Sequence, residues 1–140
     1  MTDVAAIGTV RTAIDGHVLR IEVDNVAKKN AFTPDMIEKL SDALTAFDAD
    51  DGLWVAVLCF TGKHTTAGLD MPKFFGPTRE RRDSPAGNID PFALKRRTVK
   101  PVVAAVQGHC LTIGIEMMLA ADIVVAADTA RFCQMESRRG

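Results

Sequence analysis

The sequence predicts an α/β fold built mainly from parallel strands. Three apolar segments have the length of buried strands and span residues 55–60, 101–106 and 122–127. Segments with helical periodicity stand before and between them. Strands that alternate with helices favour parallel pairing through right-handed crossovers, and 140 residues suffice for one domain.

The composition excludes several classes of function. The net charge of -1 gives no general attraction to nucleic acid or to anionic membranes. No apolar run reaches the roughly 18 residues that span a bilayer. The acidic start, Met1 to Val4, lacks the pattern of a secretory signal. We therefore expect a cytoplasmic protein with neither a membrane nor a nucleic-acid partner.

The cysteines indicate a reducing compartment rather than a disulfide framework. Cys59, Cys110 and Cys133 are odd in number and stand among apolar neighbours, which predicts buried free thiols. No CxxC motif and no histidine pair at ligand spacing occurs, so we expect no metal site.

The first elements are two strands and a long helix. Residues 9–24 predict two strands that turn at Asp15-Gly16, and the second alternates apolar with charged residues. Thr33 fits a helix N-cap and Pro34 fits the first helical position. The apolar spacing that follows predicts a helix ending near Asp51-Gly52.

The later elements alternate between strands and helices. The apolar run 55–60 predicts a strand buried on both faces. The charge run from Arg79 to Asp83 predicts a solvated loop, and a short helix is expected over residues 92–98. The remaining expectations are a strand at 101–106, a helix at 114–121 and a strand at 122–127.

Two glycine-containing segments stand where α/β proteins bind ligands. Thr65 to Asp70 follows a buried strand, and Gly68 lets the backbone approach a ligand closely. Gly108 to Glu116 leads from a strand into a helix, whose first N–H groups attract negative charge. The alternative interpretation of the first segment is a simple connecting turn.

Two glutamates are the candidate acids. Glu116 is the only acid in its strand and helix, and a buried carboxylate is costly unless it is paired, so function is one reason to keep it. An exposed position on the helix is the alternative. Taken alone, Glu136 fits a surface acid paired with arginine, and His109 fits a turn or core histidine rather than a base.

Taken together, these segments resemble the crotonase superfamily of enoyl-CoA hydratases and isomerases. Thr65 to Asp70 is similar to the family's Phe-x-Ala-Gly-x-Asp segment, and Leu111 to Glu116 is similar to its Leu-Gly-Gly-Gly-x-Glu turn. The other similar segments are Val23 to Phe32, Lys100 to Gly108, Ala121 to Ile123 and Ala130 to Glu136. The resemblance covers nearly the whole chain and implies a crotonase-like spiral of β-β-α units.

The resemblance also implies roles for individual residues. Leu69 and Ile113 would give backbone N–H groups to a thioester oxyanion, while Glu116 and Glu136 would hold a water and move its protons. Coenzyme A is part of the enoyl-CoA substrate, so no separate cofactor is expected. The residues implied to contact the substrate are Ala27, Lys28, Lys29, Ala67, Gly68, Asp70, Met71 and Gly108.

Three departures from the family pattern affect the expected pocket. Thr65 replaces the usual Phe, Thr112-Ile113 replaces two glycines, and Met135 replaces the usual Pro. A β-branched residue narrows the permitted backbone angles, so a substrate other than a plain fatty enoyl-CoA is compatible with the pattern. Arg138 and Arg139 are either partners of a polar acyl group or solvated arginines.

The two acids favour a hydratase, with an isomerase or another acyl-CoA enzyme of the family as the alternative. Family members have nearly twice this length, so residues 1–140 are expected to form a core domain that is truncated before the family's C-terminal helical region. A non-catalytic chain that binds CoA esters is the second class considered. Homotrimers or dimers of trimers are the assembly that the resemblance implies. The helix with Met117 and Met118 is expected to be poorly covered.

Overall fold

The computed structural model describes residues 8–77 and 85–138. The expectations for the Met1 to Val4 start, for the charge run 79–83 and for Arg139 lie outside these residues. The strands are β1 (Thr9–Asp15), β2 (Val18–Asp24), β3 (Val55–Phe60), β4 (Val102–Val106), β5 (His109–Leu111), β6 (Ile123–Ala126) and β7 (Arg131–Cys133). The helices are α1 (Pro34–Ala49), α2 (Met71–Phe75) and α3 (Ile113–Ala120), with 3-10 turns at Val26–Lys28 and Met135–Arg138.

Five strands form the main sheet in the order β1-β2-β3-β4-β6. β1 is antiparallel to β2, whereas the pairs β2–β3, β3–β4 and β4–β6 are parallel. β5 and β7 form a separate parallel pair. The predicted mainly parallel α/β architecture is therefore confirmed.

The hydrophobic core covers one face of the main sheet. In β3, Ala56, Leu58 and Phe60 are buried, whereas the alternate residues Val55 and Val57 are only half-buried. The prediction that this strand is buried on both faces is wrong. All six residues are apolar, but alternate side chains point to opposite faces of the sheet, and only one of these faces is fully buried.

Helix α1 begins and ends close to its predicted limits. The hydroxyl of Thr33 accepts a hydrogen bond from the N–H of Met36, at 3.3 Å, and Pro34 occupies the first helical position. Met36, Leu40 and Phe47 bury the face that the apolar spacing predicted.

The helix expected over residues 92–98 is absent, and the segment forms turns instead. The carboxylate of Asp90 accepts hydrogen bonds from the N–H groups of Phe92 and Lys95, at 2.9 and 3.2 Å. Ala93 has a φ of +56°. A side chain that bonds nearby backbone groups competes with helical hydrogen bonds, which accounts for the difference.

Helix α3 buries its two methionines but exposes Leu119, and the neighbouring strand β6 is exposed as well. Met117 and Met118 are 2% and 6% exposed, so the expectation that they are poorly covered is wrong. Leu119 is 77% exposed, and all four residues of β6, the last strand of the sheet, are exposed. Within the described residues, no helix has both the length and the apolar character needed to cross a membrane.

A stacked pair of rings joins the β1–β2 turn to the start of β3. The rings of His17 and Trp54 lie 3.6 Å apart between centroids and are nearly parallel. The N–H of Trp54 donates to the carbonyl oxygen of His17 at 2.8 Å. The turn is thereby held against the N-terminal end of β3.

Candidate active site

Two segments run side by side beyond the carboxyl ends of strands β3 and β4. The N–H of Thr66 donates to the carbonyl of His109 at 3.0 Å, and the N–H of Leu111 donates to the carbonyl of Thr66 at 3.1 Å. Two residues further on, a Cβ added to Gly68 would lie 2.5 Å from the hydroxyl oxygen of Thr112. Thr66 thus lies beside Cys110 and Gly68 beside Thr112, and Leu69 and Ile113 are the next residues of the two segments.

The backbone N–H of Leu69 is held in a fixed direction. The carbonyl of Gly68 accepts from the N–H of Phe32 at 2.8 Å, and a trans peptide directs its N–H opposite to its carbonyl. The N–H of Leu69 therefore points away from Phe32. The neighbouring N–H groups of Gly68 and Asp70 are both bonded, whereas that of Leu69 has no partner among the described residues.

The backbone N–H of Ile113 is the first of helix α3. The first N–H groups of a helix have no partner within it and carry the positive end of the helix dipole. The preceding N–H, that of Thr112, donates to the carbonyl of Cys133 at 3.0 Å. No described group bonds the N–H of Ile113, so each of the two adjoining segments presents one donor without a described partner, at Leu69 and at Ile113.

The turn that presents these donors has unusual backbone angles. Gly68 has a φ of +104°, and Thr112 has φ +49° and ψ -113°. Glycine adopts the left-handed region freely, but a β-branched residue does so only under strain. This conformation at Thr112, which would suit glycine, was not predicted from the sequence, and Ile113 has no positive φ.

The structure brings the segments of the two predicted acids together but shows no direct contact between their carboxylates. Glu116 is half-buried in the first turn of α3, and the amide nitrogen of Gln134 approaches its Oε1 at 3.5 Å. Glu136 is exposed in the 3-10 turn that begins one residue after Gln134. The Oε1 of Gln134 is buried without a hydrogen-bond partner among the described residues. Sequence reasoning missed Gln134, whose only signal was its place two residues before Glu136.

The polar loop of residues 25–30, which the resemblance implies contacts the CoA part of the substrate, is the predicted CoA-binding loop, and it contacts the segment that carries Leu69. Ala27 and Lys28 belong to the 3-10 turn, and the ammonium of Lys28 lies 2.6 Å from Oδ2 of Asp70. Asp70 is 7% exposed, so this ion pair partners a buried carboxylate. The N–H of Ala67 donates to the carbonyl of Lys29 at 2.9 Å. Met71 is exposed at the start of α2.

Gly108 is required by close packing against the loop after β3. It has a φ of +55°, and a Cβ there would lie 2.1 Å from the carbonyl oxygen of Lys63. The N–H of His109 donates to Nδ1 of His64 at 3.1 Å, and the two rings stack. Partial burial, followed by the positive surroundings of His109, Lys29 and Lys63, lowers the pKa of His64.

The three cysteines are free thiols, and the described residues contain no cluster suited to a metal ion. All three thiols are free, as predicted, but only Cys110 is buried, whereas Cys59 and Cys133 are half-buried. Burial raises the pKa of the Cys110 thiol to about 11. Among the described residues, no group of three or more His, Cys, Asp or Glu side chains could hold a metal ion.

Comparison with known proteins gives consistent matches. A family model described as enoyl-CoA hydratase/isomerase matches residues 13–140. The crystal structure of a probable enoyl-CoA hydratase/isomerase from Mycobacterium abscessus is 42% identical, with a TM-score of 0.85. That match covers 94% of this chain and 52% of the other. The predicted crotonase-like fold is thereby confirmed over about half the length of the matched structure.

Two fungal proteins are among the similar sequences. The mevalonyl-coenzyme A hydratase SIDH of Beauveria bassiana is 36% identical over 133 residues, covering 89% of this chain and 48% of that protein. The mevalonyl-coenzyme A hydratase sidH of Aspergillus fumigatus is 32% identical over 129 residues, covering 89% and 46%. This chain therefore spans about half the length of the curated relatives it matches.

Proposed function

Because the chain belongs to the enoyl-CoA hydratase/isomerase family, we propose that it carries the oxyanion donors and both acids of an enoyl-CoA hydratase. In the proposed reaction, water adds across the 2,3 double bond of an enoyl-CoA thioester. The oxygen of water bonds to C3, a proton reaches C2, and the thioester carbonyl passes through an enolate. Such an enzyme needs hydrogen-bond donors for the enolate oxygen and a group that moves protons.

The observation that carries this proposal is the pair of N–H groups at Leu69 and Ile113, which have no partner among the residues that the structure describes. They stand on segments whose register is fixed by the bonds of Thr66 to β5. Preorganised donors of this kind contribute about 3–4 kcal/mol each when charge develops on an oxygen. Their side chains matter less than their backbones, so Ile113 can serve where the family pattern has glycine.

The acids proposed to move protons are Glu116 and Glu136. One would take a proton from the attacking water, and the other would give a proton to C2 of the substrate. Pairing of β5 with β7 places Leu111 beside Cys133, and this pairing brings the Glu136 turn to the start of α3. The contact of Gln134 with Glu116 supports the same placement.

The remaining residues are proposed to hold the CoA moiety. The loop with Ala27, Lys28 and Lys29 would face the nucleotide, and Lys28 also ties this loop to Asp70. The other proposed contacts are Ala67, Gly68, Met71 and Gly108. No cofactor beyond the CoA of the substrate is proposed. A cytoplasmic homotrimer or dimer of trimers remains the proposed assembly.

A double-bond isomerase is the second candidate. Of the two proposed acids, Glu116 has a neighbouring side chain in Gln134, whereas Glu136 is exposed. A single acid that removes a proton from C2 and returns it to C4 would then suffice. This reaction moves the double bond without adding water, so the two candidates give different products.

The test is the loss of conjugated enoyl-thioester absorbance when the chain is mixed with crotonyl-CoA. Glu116→Gln and Glu136→Gln should each lower the rate by roughly 100- to 10,000-fold while CoA-ester binding survives. Asp51→Asn, an exposed carboxylate in the turn after α1, is the matched control and should keep the rate. Full hydration by either glutamate variant would contradict the two-acid mechanism.

Two further outcomes separate the alternatives. Isomerisation of a 3-enoyl-CoA that needs Glu116 but not Glu136 would favour the isomerase. Binding of CoA esters without turnover of either substrate would favour a chain that binds such esters without catalysis.

A further inference from the structure

We propose that Thr66, through its hydroxyl, is the positioning residue that sets the two oxyanion donors relative to each other. The inference rests on the proposed function and extends it to a residue of the Thr65 to Asp70 segment to which no role was assigned from the sequence. Thr66 is fully buried and contacts each of the structural parts on which the donors depend.

The first contact is with the segment that carries Leu69. The hydroxyl of Thr66 accepts a hydrogen bond from the N–H of Gly68 at 3.0 Å. Gly68 immediately precedes the proposed donor and has the unusual φ of +104°. A hydrogen bond to its N–H therefore restrains the torsion that orients the next peptide, to which the N–H of Leu69 belongs.

The second contact is with the predicted CoA-binding loop. The same hydroxyl donates to the carbonyl of Asn30 at 2.7 Å. Asn30 is 1% exposed, and its amide nitrogen donates to the carbonyls of Thr61 and His64 at 2.8 and 2.9 Å. Its Oδ1 accepts from the N–H of Asn25 at 2.7 Å. The hydroxyl is thus anchored to a loop whose own position is fixed.

The third contact is with the helix that carries Ile113. The backbone of Thr66 forms two hydrogen bonds with β5, which leads directly into α3. The methyl of Thr66 packs closely on Gly114, because a Cβ on that glycine would lie only 2.5 Å from it. One side chain therefore links both donor segments, and its hydroxyl is the part that a single substitution can remove.

Thr65 provides a matched control beside it. It is also fully buried, and its hydroxyl also joins one donor to one acceptor. However, both partners belong to Gln107, whose N–H donates to it at 2.9 Å and whose carbonyl accepts from it at 2.8 Å. Loss of this hydroxyl removes equivalent buried hydrogen bonds without touching the Leu69 segment.

The test uses butyryl-CoA labelled with carbon-13 at the thioester carbonyl, a saturated ester that cannot be hydrated. Infrared difference spectra of the complex with the 140-residue chain should show a lowered carbonyl stretch, because two donors polarise the bond. In Thr66→Val we expect at least about half of this shift to be lost, with affinity within about threefold of the original. Thr66→Ser and Thr65→Val should keep the shift.

Three other results would change this interpretation. A full shift in Thr66→Val, or equal losses in Thr66→Ser or Thr65→Val, would overturn the positioning role and leave the proposed function standing. The absence of any shift in the unmodified chain would overturn the oxyanion site itself and this role with it. If Thr66→Val does not fold, Thr66→Ser and Thr66→Ala repeat the comparison, since they differ only by the hydroxyl.

Discussion

At the scale of single residues, Thr112 occupies a conformation that glycine would adopt without strain. A non-glycine residue with such angles costs roughly 1–3 kcal/mol. Its hydroxyl also lies against Gly68, where any added Cβ would clash. Position 68 therefore suits only glycine, because its φ is positive and because the hydroxyl of Thr112 leaves no room for a Cβ.

We predict that Thr112→Gly raises the free energy of unfolding by about 1 kcal/mol, measured from urea midpoints. Relief of roughly 1–3 kcal/mol of strain exceeds the 0.5–1 kcal/mol that glycine usually costs in conformational entropy. Thr129→Gly, at an exposed position without a positive φ, should lower the free energy by about 0.5 kcal/mol. Equal decreases in the free energy of unfolding of both variants would show that the backbone of Thr112 is not strained.

His64 gives the stability a dependence on pH. Its pKa is lowered in the folded chain, so the unfolded state, with a pKa near 6.5, binds the proton more tightly. This contribution to stability is complete above about pH 6.5 and is lost as the pH falls toward the folded-state pKa. We predict a smaller fall in the urea midpoint between about pH 7.5 and 5.5 for His64→Gln. Identical falls in both chains would exclude the effect.

Local patterns in the sequence identified candidate residues but did not reveal contacts between distant positions. Gly68 and Glu116 stand in short motifs and were therefore predicted as site residues. The pair of Lys28 with Asp70 spans 42 positions, and the bond between His109 and His64 spans 45. No periodicity connects such positions, so these contacts could not be predicted from one sequence.

At the scale of elements, helix caps and apolar periodicity over several turns predicted helices and strands most accurately. Helix α1 combines an N-cap, a proline at its first position and four turns of apolar spacing, and its limits were predicted closely. Strands β5 and β7 have three residues each, too few for a period of two to be recognised. Residues 92–98 lacked the helix because Asp90 bonds the backbone locally.

The N-cap of α1 can be tested directly. Thr33→Ala should lower the free energy of unfolding by about 1 kcal/mol, because the N–H of Met36 loses its acceptor. Thr33→Ser keeps an acceptor oxygen and should stay within a few tenths of a kcal/mol. Denaturant titration of the three chains measures both values. A serine variant as unstable as the alanine variant would show that the hydroxyl bond is unimportant.

At the scale of the whole molecule, the main sheet is covered on its core face and ends in an exposed strand. Ile123, Val124 and Val125 of β6 are 56%, 42% and 61% exposed. An apolar edge strand with free backbone groups is a site for pairing with another chain. The alternation of strands and helices predicted a mainly parallel sheet, but the exposure of each strand depends on what packs against it, which hydropathy alone does not reveal.

We predict that the chain self-associates through β6, with an apparent mass in sedimentation that rises with concentration. Val125→Lys should reduce this association several-fold, because a charge on an edge strand opposes pairing. Leu94→Lys alters an equally apolar residue that is 82% exposed but lies outside the sheet, and it should have little effect. A similar reduction by both variants would indicate general solubility rather than edge pairing.

The stacking of Trp54 on His17 gives this molecule an internal optical reporter. It is the only tryptophan in the chain and stands before β3, whereas the candidate site follows the other end of that strand. Six strand residues separate the two ends by about 20 Å. Tryptophan emission should therefore follow the separation of the rings during unfolding and remain constant during titration with a CoA ester, so that folding and ligand occupancy can be read separately in one sample.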